Sequence, residues 1–177
     1  MRIFIAINLP KNVKKELGTI AEGLKNSFPF EVGKWVSQEN FHITLLFLGA
    51  VKEENLPEVI EQTKSACQDI KPFKVKINKI LYEPPKIFPP RLIWFQGENN
   101  PEAEKLSSNL RAKRCLPHIT ICRIKPWQWG RIEPEERPSV EQELNIGFEV
   151  KSIEIMESRL KKEGSEYNII ESIRLFD

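Results

Sequence analysis

An α+β fold is what the sequence predicts, on three observations. Strand-like and helix-like segments mix without the regular alternation of a doubly wound sheet. The last two strand-like runs are joined by a turn and read as a closing hairpin. The 177 residues, 40% hydrophobic and 29% charged, are ordinary globular composition and enough for one sizeable core. The expectation is one bilobal domain over residues 1–177.

The elements follow in order. Ile3, Ile5 and Ile7 alternate as a half-buried strand requires. After Pro10, Val13, Leu17, Ile20, Ala21 and Leu24 recur at helical spacing. A Phe- and Pro-rich loop leads to "FHITLLFLG", an apolar run expected to be a strand with both faces partly covered. Asn55 and Pro57 open a second helix with Leu56, Val59, Ile60, Thr63 and Cys67 on its apolar stripe. "PFKVKINKI" alternates as a strand with one solvated face, and "RLIWFQG" is a shorter strand beyond the proline-rich loop "EPPKIFPP". Asn100 and Pro101 open a third helix. "LPHITICRIK" then repeats the flavour of the earlier apolar run. A short helix is expected around Val140 to Leu144, followed by strands in "FEVKSIEIMES" and "YNIIESIRLF".

Bulk properties narrow the function. The net charge is only +2, so a long basic face for gripping nucleic acid is not expected, and any such partner would be met through one or a few phosphates. No stretch has the 18 or so apolar residues of a membrane span, and the first residues are broken too early by Pro10 for a secretory signal. The odd set Cys67, Cys115 and Cys122 suggests no disulfide framework, which fits a reducing, cytoplasmic setting. A monomer is the default expectation.

The most informative feature is a repeat. The chain has two histidines, and both stand in the string His-Ile-Thr: His42-Ile43-Thr44 and His118-Ile119-Thr120. Threonine occurs four times in the chain, so chance would place one two residues after both histidines about once in two thousand tries. In a strand, residues two apart share a face, so each motif aims an imidazole and a hydroxyl at one place while the isoleucine faces the core. Two imidazoles across a cleft suit displacement at phosphorus. A neutral one takes a proton from water, a protonated one gives a proton to the leaving oxygen, and the threonine hydroxyls hold the phosphate oxygens. No metal or cofactor is required by such a mechanism.

These motifs resemble the paired H-x-T-x signatures of the 2H phosphoesterase superfamily. The chain is similar in particular to the RNA 2′,3′-cyclic phosphodiesterases, also called 2′-5′ RNA ligase-like proteins. The resemblance runs through "RIFIAINLP", "KWVSQENFHITLLFLG", "PPRLIWFQG", "PHITICRIK" and "IMESRLKKEGSEYNII". It implies two α+β lobes related by a pseudo-twofold, with mainly antiparallel sheets, outer helices and the active cleft between them. It implies His42 as proton donor, His118 as proton acceptor, and Thr44, Thr120 and Arg123 as phosphate ligands. The implied reaction is metal-independent opening of 2′,3′-cyclic phosphate ends of RNA or nucleotides to 2′-phosphates, with 2′-5′ ligation as a related activity. The resemblance departs at Leu46, four residues after His42, where many relatives carry a basic side chain. It departs again in "LRAKRCLPHIT", which is shorter than usual.

Other readings compete. A binding module for RNA ends or nucleotides could keep both motifs without turnover, although it would have little need for both imidazoles. Cys115, His118 and Cys122, joined by Cys67 or His42, could hold a metal, but the spacing fits no common zinc pattern. Trp35 and Trp94 are expected in the core. Trp127 and Trp129, beside Arg123, Lys125 and Arg131, are the better candidates for a substrate lid.

Overall fold

The computed structural model describes residues 1–112, 116–161 and 164–176. The elements run β1 (Arg2–Asn8), α1 (Lys11–Asn26), β2 (Gly33–Trp35), β3 (His42–Ala50), α2 (Leu56–Cys67), β4 (Phe73–Glu83), β5 (Leu92–Gly97), α3 (Pro101–Asn109) and β6 (His118–Ile124). They continue with α4 (Pro126–Trp129), β7 (Gln142–Val150), β8 (Ser152–Lys161) and β9 (Gly164–Arg174).

Two antiparallel sheets result. The first has the order β3-β1-β8-β9 and the second β2-β6-β5-β4-β7. Setting β2 aside, the two orders correspond position by position, β3 with β6, β1 with β5, β8 with β4 and β9 with β7. The connections correspond as well, because α1 lies between β1 and β3 and α3 between β5 and β6. This is the pseudo-twofold that the family resemblance implies, and it gives each His-Ile-Thr the same station: the start of an edge or near-edge strand.

One apolar cluster unites the sheets and helices. Ile43 from β3, Ile5 from β1, Ile119 and Ile121 from β6, Phe95 from β5 and Leu17 from α1 all belong to it. A smaller cluster of Phe4, Ala6 and Met156, with Tyr167 against it, covers the other face of the first sheet. The alternation of β1 therefore divides Ile3, Ile5 and Ile7 from Phe4 and Ala6, so both faces of that strand are buried.

Local chemistry explains the helix starts. The Asn100 side chain accepts a hydrogen bond from the Ala103 amide at 2.9 Å and donates to the Lys74 carbonyl at 2.8 Å, capping α3 and tying it to β4. Asn100→Ala should therefore destabilise the protein by about 1 kcal/mol, read as a lowered urea midpoint at unchanged m-value. Asn55 differs from expectation: it ends the 3₁₀ turn Glu53–Asn55, and its side chain makes no capping bond.

Three further expectations are corrected. Residues around 140–144 form no helix, because Gln142 onward pairs with β4 and the alternation of Ile146 and Phe148 supplies a core face. "FEVKSIEIMES" is two strands broken at Lys151, and its halves enter different sheets. The expected two-sided cover of β3 is absent at its end: Ile43 and Leu45 are buried, but Phe47 is 71% exposed.

Candidate active site

Each motif sits where its strand begins. His42 and Thr44 share one face of β3, and His118 and Thr120 share one face of β6, while Ile43 and Ile119 are buried behind them. The two imidazoles are held by the same device. Nδ1 of His42 donates to the Asn40 carbonyl at 2.7 Å, and Nδ1 of His118 donates to the Leu116 carbonyl at 2.9 Å. A carbonyl can only accept, so Nδ1 carries the hydrogen in both rings and Nε2 is the nitrogen that titrates. Nε2 of His42 lies 3.0 Å from the Thr44 hydroxyl. Among the described residues, Nε2 of His118 has no hydrogen-bond partner.

Aromatic rings wall both imidazoles. Phe4 lies 4.9 Å from the His42 ring centroid, and Tyr167 meets the same ring edge-on at 5.0 Å. Trp94 stacks on His118 at 3.8 Å with 19° between the planes. Trp94 is therefore part of the site and not a plain core residue, because β5 places it opposite Thr120 on the open face of the second sheet. Trp129, one of the two lid candidates, is instead buried against Tyr82 and Phe88, with the Arg137 guanidinium over it. Trp127 is exposed, with the Lys125 ammonium 6.0 Å from its ring.

A bulge brings in Arg123. Simple alternation would put Cys122 beside Thr120 and send Arg123 to the core. Ile93 pairs with Cys122 but Trp94 pairs with Thr120, so Ile121 is an extra residue that reverses the faces beyond it. Cys122 turns into the core, where burial pushes its thiol up to about 12, and Arg123 emerges on the side of His118. The first lobe repeats the device: Ile5 pairs with Leu46 and Ala6 with Thr44, which makes Leu45 the extra residue. The counterpart of Arg123 is thus Phe47, five residues after its histidine. Leu46 packs against the core and is no substitute for a basic ligand at the site.

The metal reading loses its geometry here. Cys122 faces away from His118, Cys67 lies in α2 with its thiol pushed up by burial to about 11, and Cys115 lies outside the described residues. Among the described residues, no three metal-ligating side chains gather.

The field at the site favours neutral imidazoles in the free protein. Burial lowers the His42 pKa. The Asn40 carbonyl opposes this, and the charges of Lys14, His118 and Arg123 add to the lowering. Burial also lowers His118, with the Leu116 carbonyl in opposition. His118 and Arg123 are thus near enough for their charges to act on His42. Beside His42, against Asn40 and Tyr167, is a cavity of about 460 Å³ lined also by Lys34, Trp35, Arg123 and Lys161, with Glu166 beside Lys161. The sequence analysis did not place Asn40, Trp94 or Tyr167 in the site: Trp94 and Tyr167 reach the histidines only through distant strands, and Asn40 uses its backbone carbonyl, which no side-chain pattern marks.

The comparisons with known proteins agree with this architecture. A family model described as LigT-like phosphoesterase matches residues 7–94. A protein of Methanocaldococcus jannaschii named RNA 2′,3′-cyclic phosphodiesterase is 33% identical, over 96% of this chain and 98% of its own. The chain belongs to the LigT-like phosphoesterase family. A second such phosphodiesterase, from Thermotoga maritima, is also 33% identical, over 96% of this chain and 93% of the relative. Among solved structures, a Thermus thermophilus protein superposes with a TM-score of 0.77 at 27% identity, covering 99% of this chain and 98% of the other. The expected α+β architecture is therefore that of the LigT-like fold. Among the described residues, no helix is long and apolar enough to cross a membrane.

Proposed function

We propose that this LigT-like phosphoesterase opens the 2′,3′-cyclic phosphate at RNA or nucleotide ends to a 2′-phosphate, with His42 as proton donor and His118 as proton acceptor. The observation that carries the reading is the matched pair of imidazoles, each locked by a backbone carbonyl at Nδ1 with Nε2 left to exchange a proton. Its relatives' names supply the cyclic phosphate.

The step balances as follows. Nε2 of His118 takes a proton from water as its oxygen bonds to phosphorus. The bond from phosphorus to the 3′ oxygen breaks, and Nε2–H of His42 protonates that oxygen. Thr44 and Thr120 donate to the non-bridging oxygens, and the Arg123 fork holds the same group. With a 5′-hydroxyl in place of water, the same displacement forms a 2′-5′ linkage. All of these groups are protein side chains, so the reaction proceeds without metal or cofactor. We place it in one bilobal domain, acting as a monomer in the cytoplasm.

The pH profile follows from the direction of the two shifts. The free protein needs one imidazole neutral and the other charged, and burial lowers both below the ordinary histidine value of about 6.5. The bell of kcat/KM should therefore peak below pH 6.5 and fall tenfold per pH unit on its alkaline side. The bound anion favours the charged imidazole, so the kcat bell should lie at higher pH than the kcat/KM bell. Initial rates across pH 4.5 to 9 check both statements.

The direct test is incubation with a nucleoside 2′,3′-cyclic phosphate in excess EDTA, followed by phosphorus NMR. The 2′-phosphate is the expected product. A 3′-phosphate, a requirement for metal, or binding without turnover would refute the reading, and the last would favour a binding module.

A further inference from the structure

Two cavities lie near the histidines, one against Asn40 and Tyr167, which contact His42, and one that includes Gln96, the strand neighbour of His118, and their charges differ. The cavity of about 460 Å³ carries Lys34, Arg123 and Lys161 against the single carboxylate of Glu166. The second, a groove of about 810 Å³, includes Gln96, the register partner of His118, in its lining. It carries Lys79 and Lys86 against Glu83, Glu141 and Glu143. A polyanion is drawn to the first and repelled by the second.

We propose that Lys34 and Lys161 form a subsite for the phosphate on the 5′ oxygen of the nucleotide whose cyclic phosphate lies at His42 and His118. The subsite would make a 5′-phosphorylated end, as in an RNA chain, a better substrate than a cyclic nucleotide with a free 5′-hydroxyl. This inference rests on the proposed reaction.

The two lysines approach from different sheets. Lys34 is the register partner of Arg123 in the β2–β6 pair, so the two side chains leave neighbouring strands on the same face of the sheet. Among the described residues, no carboxylate pairs with Lys34. Its strand exists because Gly33 lets the backbone approach: a Cβ there would collide with the Arg123 carbonyl oxygen. Lys161 comes from the end of β8, where it pairs with Glu166 at 2.6 Å. The β8–β9 hairpin that carries it is fixed to the site, since Asn40 donates to the Ser165 carbonyl at 2.8 Å while its own carbonyl holds His42. Tyr167 lines the cavity and packs on His42. The cavity therefore adjoins His42 through Asn40 and Tyr167 and reaches Arg123 on the second sheet.

The covalent structure of the substrate then selects the ligand. A cyclic phosphate closes the 2′ and 3′ oxygens, and the next anion along an RNA end is the phosphate on its 5′ oxygen. Trp35 and Tyr167 add ring faces to the lysines, the combination used to hold single-stranded nucleic acid.

The test compares three substrates: a nucleoside 2′,3′-cyclic phosphate, its 5′-phosphorylated form, and a short RNA ending in the cyclic phosphate. For each, kcat/KM is measured from 50 to 200 mM salt with the wild type and with Lys34→Gln, Lys161→Gln and Glu166→Gln. We expect both 5′-phosphorylated substrates to be preferred by the wild type. Each lysine substitution should lower their kcat/KM and, on the RNA, reduce the log–log salt slope by about 0.7. Glu166→Gln should act in the opposite direction, because it frees Lys161. The nucleoside with a 5′-hydroxyl should be unaffected by all three, which also controls for folding. A preference for the RNA alone assigns the subsite to the phosphodiester of a chain and not to a terminal 5′-phosphate. Equal kcat/KM for all substrates, or an unchanged salt slope in the lysine variants, overturns the subsite while leaving the reaction standing. Turnover of none of them refutes the reaction itself and the subsite with it.

Discussion

His42→Ala and His118→Ala should each slow hydrolysis of a nucleoside 2′,3′-cyclic phosphate by about 10²–10⁴-fold in kcat, the contribution of one well-placed acid or base. The double variant should be little slower than the worse single one, because donor and acceptor serve one displacement and their effects are not additive. The fold should survive, since packing behind each motif is carried by Ile43 and Ile119. The His118 variant also removes the ring stacked on Trp94, so near-ultraviolet circular dichroism should change there while the unfolding transition stays cooperative. Single-turnover rates across the three variants check the prediction, and full activity in either single variant would remove that imidazole from the mechanism.

The second large effect belongs to the hydroxyls. Thr44→Val and Thr120→Val should each lower kcat by about 10²–10³-fold, the loss typical of one donor aimed at developing charge on an oxyanion. The two should differ in pH dependence. Thr44 touches Nε2 of His42 at 3.0 Å, so its loss should move a limb of the pH profile as well as lower the plateau. Thr120 has no such bond to His118, and its loss should lower the plateau alone. KM should change less than kcat in both, because the contacts strengthen as charge builds on the phosphate oxygens.

Much of this site was legible before any fold was known. The spacing of His-Ile-Thr fixes imidazole and hydroxyl on one strand face, and the duplication implies a symmetric pair of strands. What the sequence concealed lies in long-range pairing. Arg123 reaches the site only because an extra residue at Ile121 reverses the strand faces, and a bulge leaves no local mark in "HITICRI". The same holds for Leu45, which moves the symmetric position from Leu46 to Phe47. Trp94 looks like a core residue in an apolar strand until β6 pairs beside it and sets His118 against its ring. Tyr167 reaches His42, and Asn40 its Ser165 partner, only through the β8–β9 hairpin, more than a hundred residues downstream of His42. The segment around Val140 illustrates the converse: a plausible short helix becomes strand β7 because β4 offers it an edge.

The most direct test of the central claim is leaving-group rescue. In a nucleoside 2′,3′-cyclic phosphorothiolate with sulfur at the 3′ bridging position, the departing thiol has a pKa near 8.5 and leaves without protonation. The assignment of His42 as proton donor predicts that His42→Ala recovers much of the wild-type rate on this substrate, whereas His118→Ala remains as impaired as on the oxygen substrate. Rescue of His118→Ala instead, or of neither variant, would contradict it.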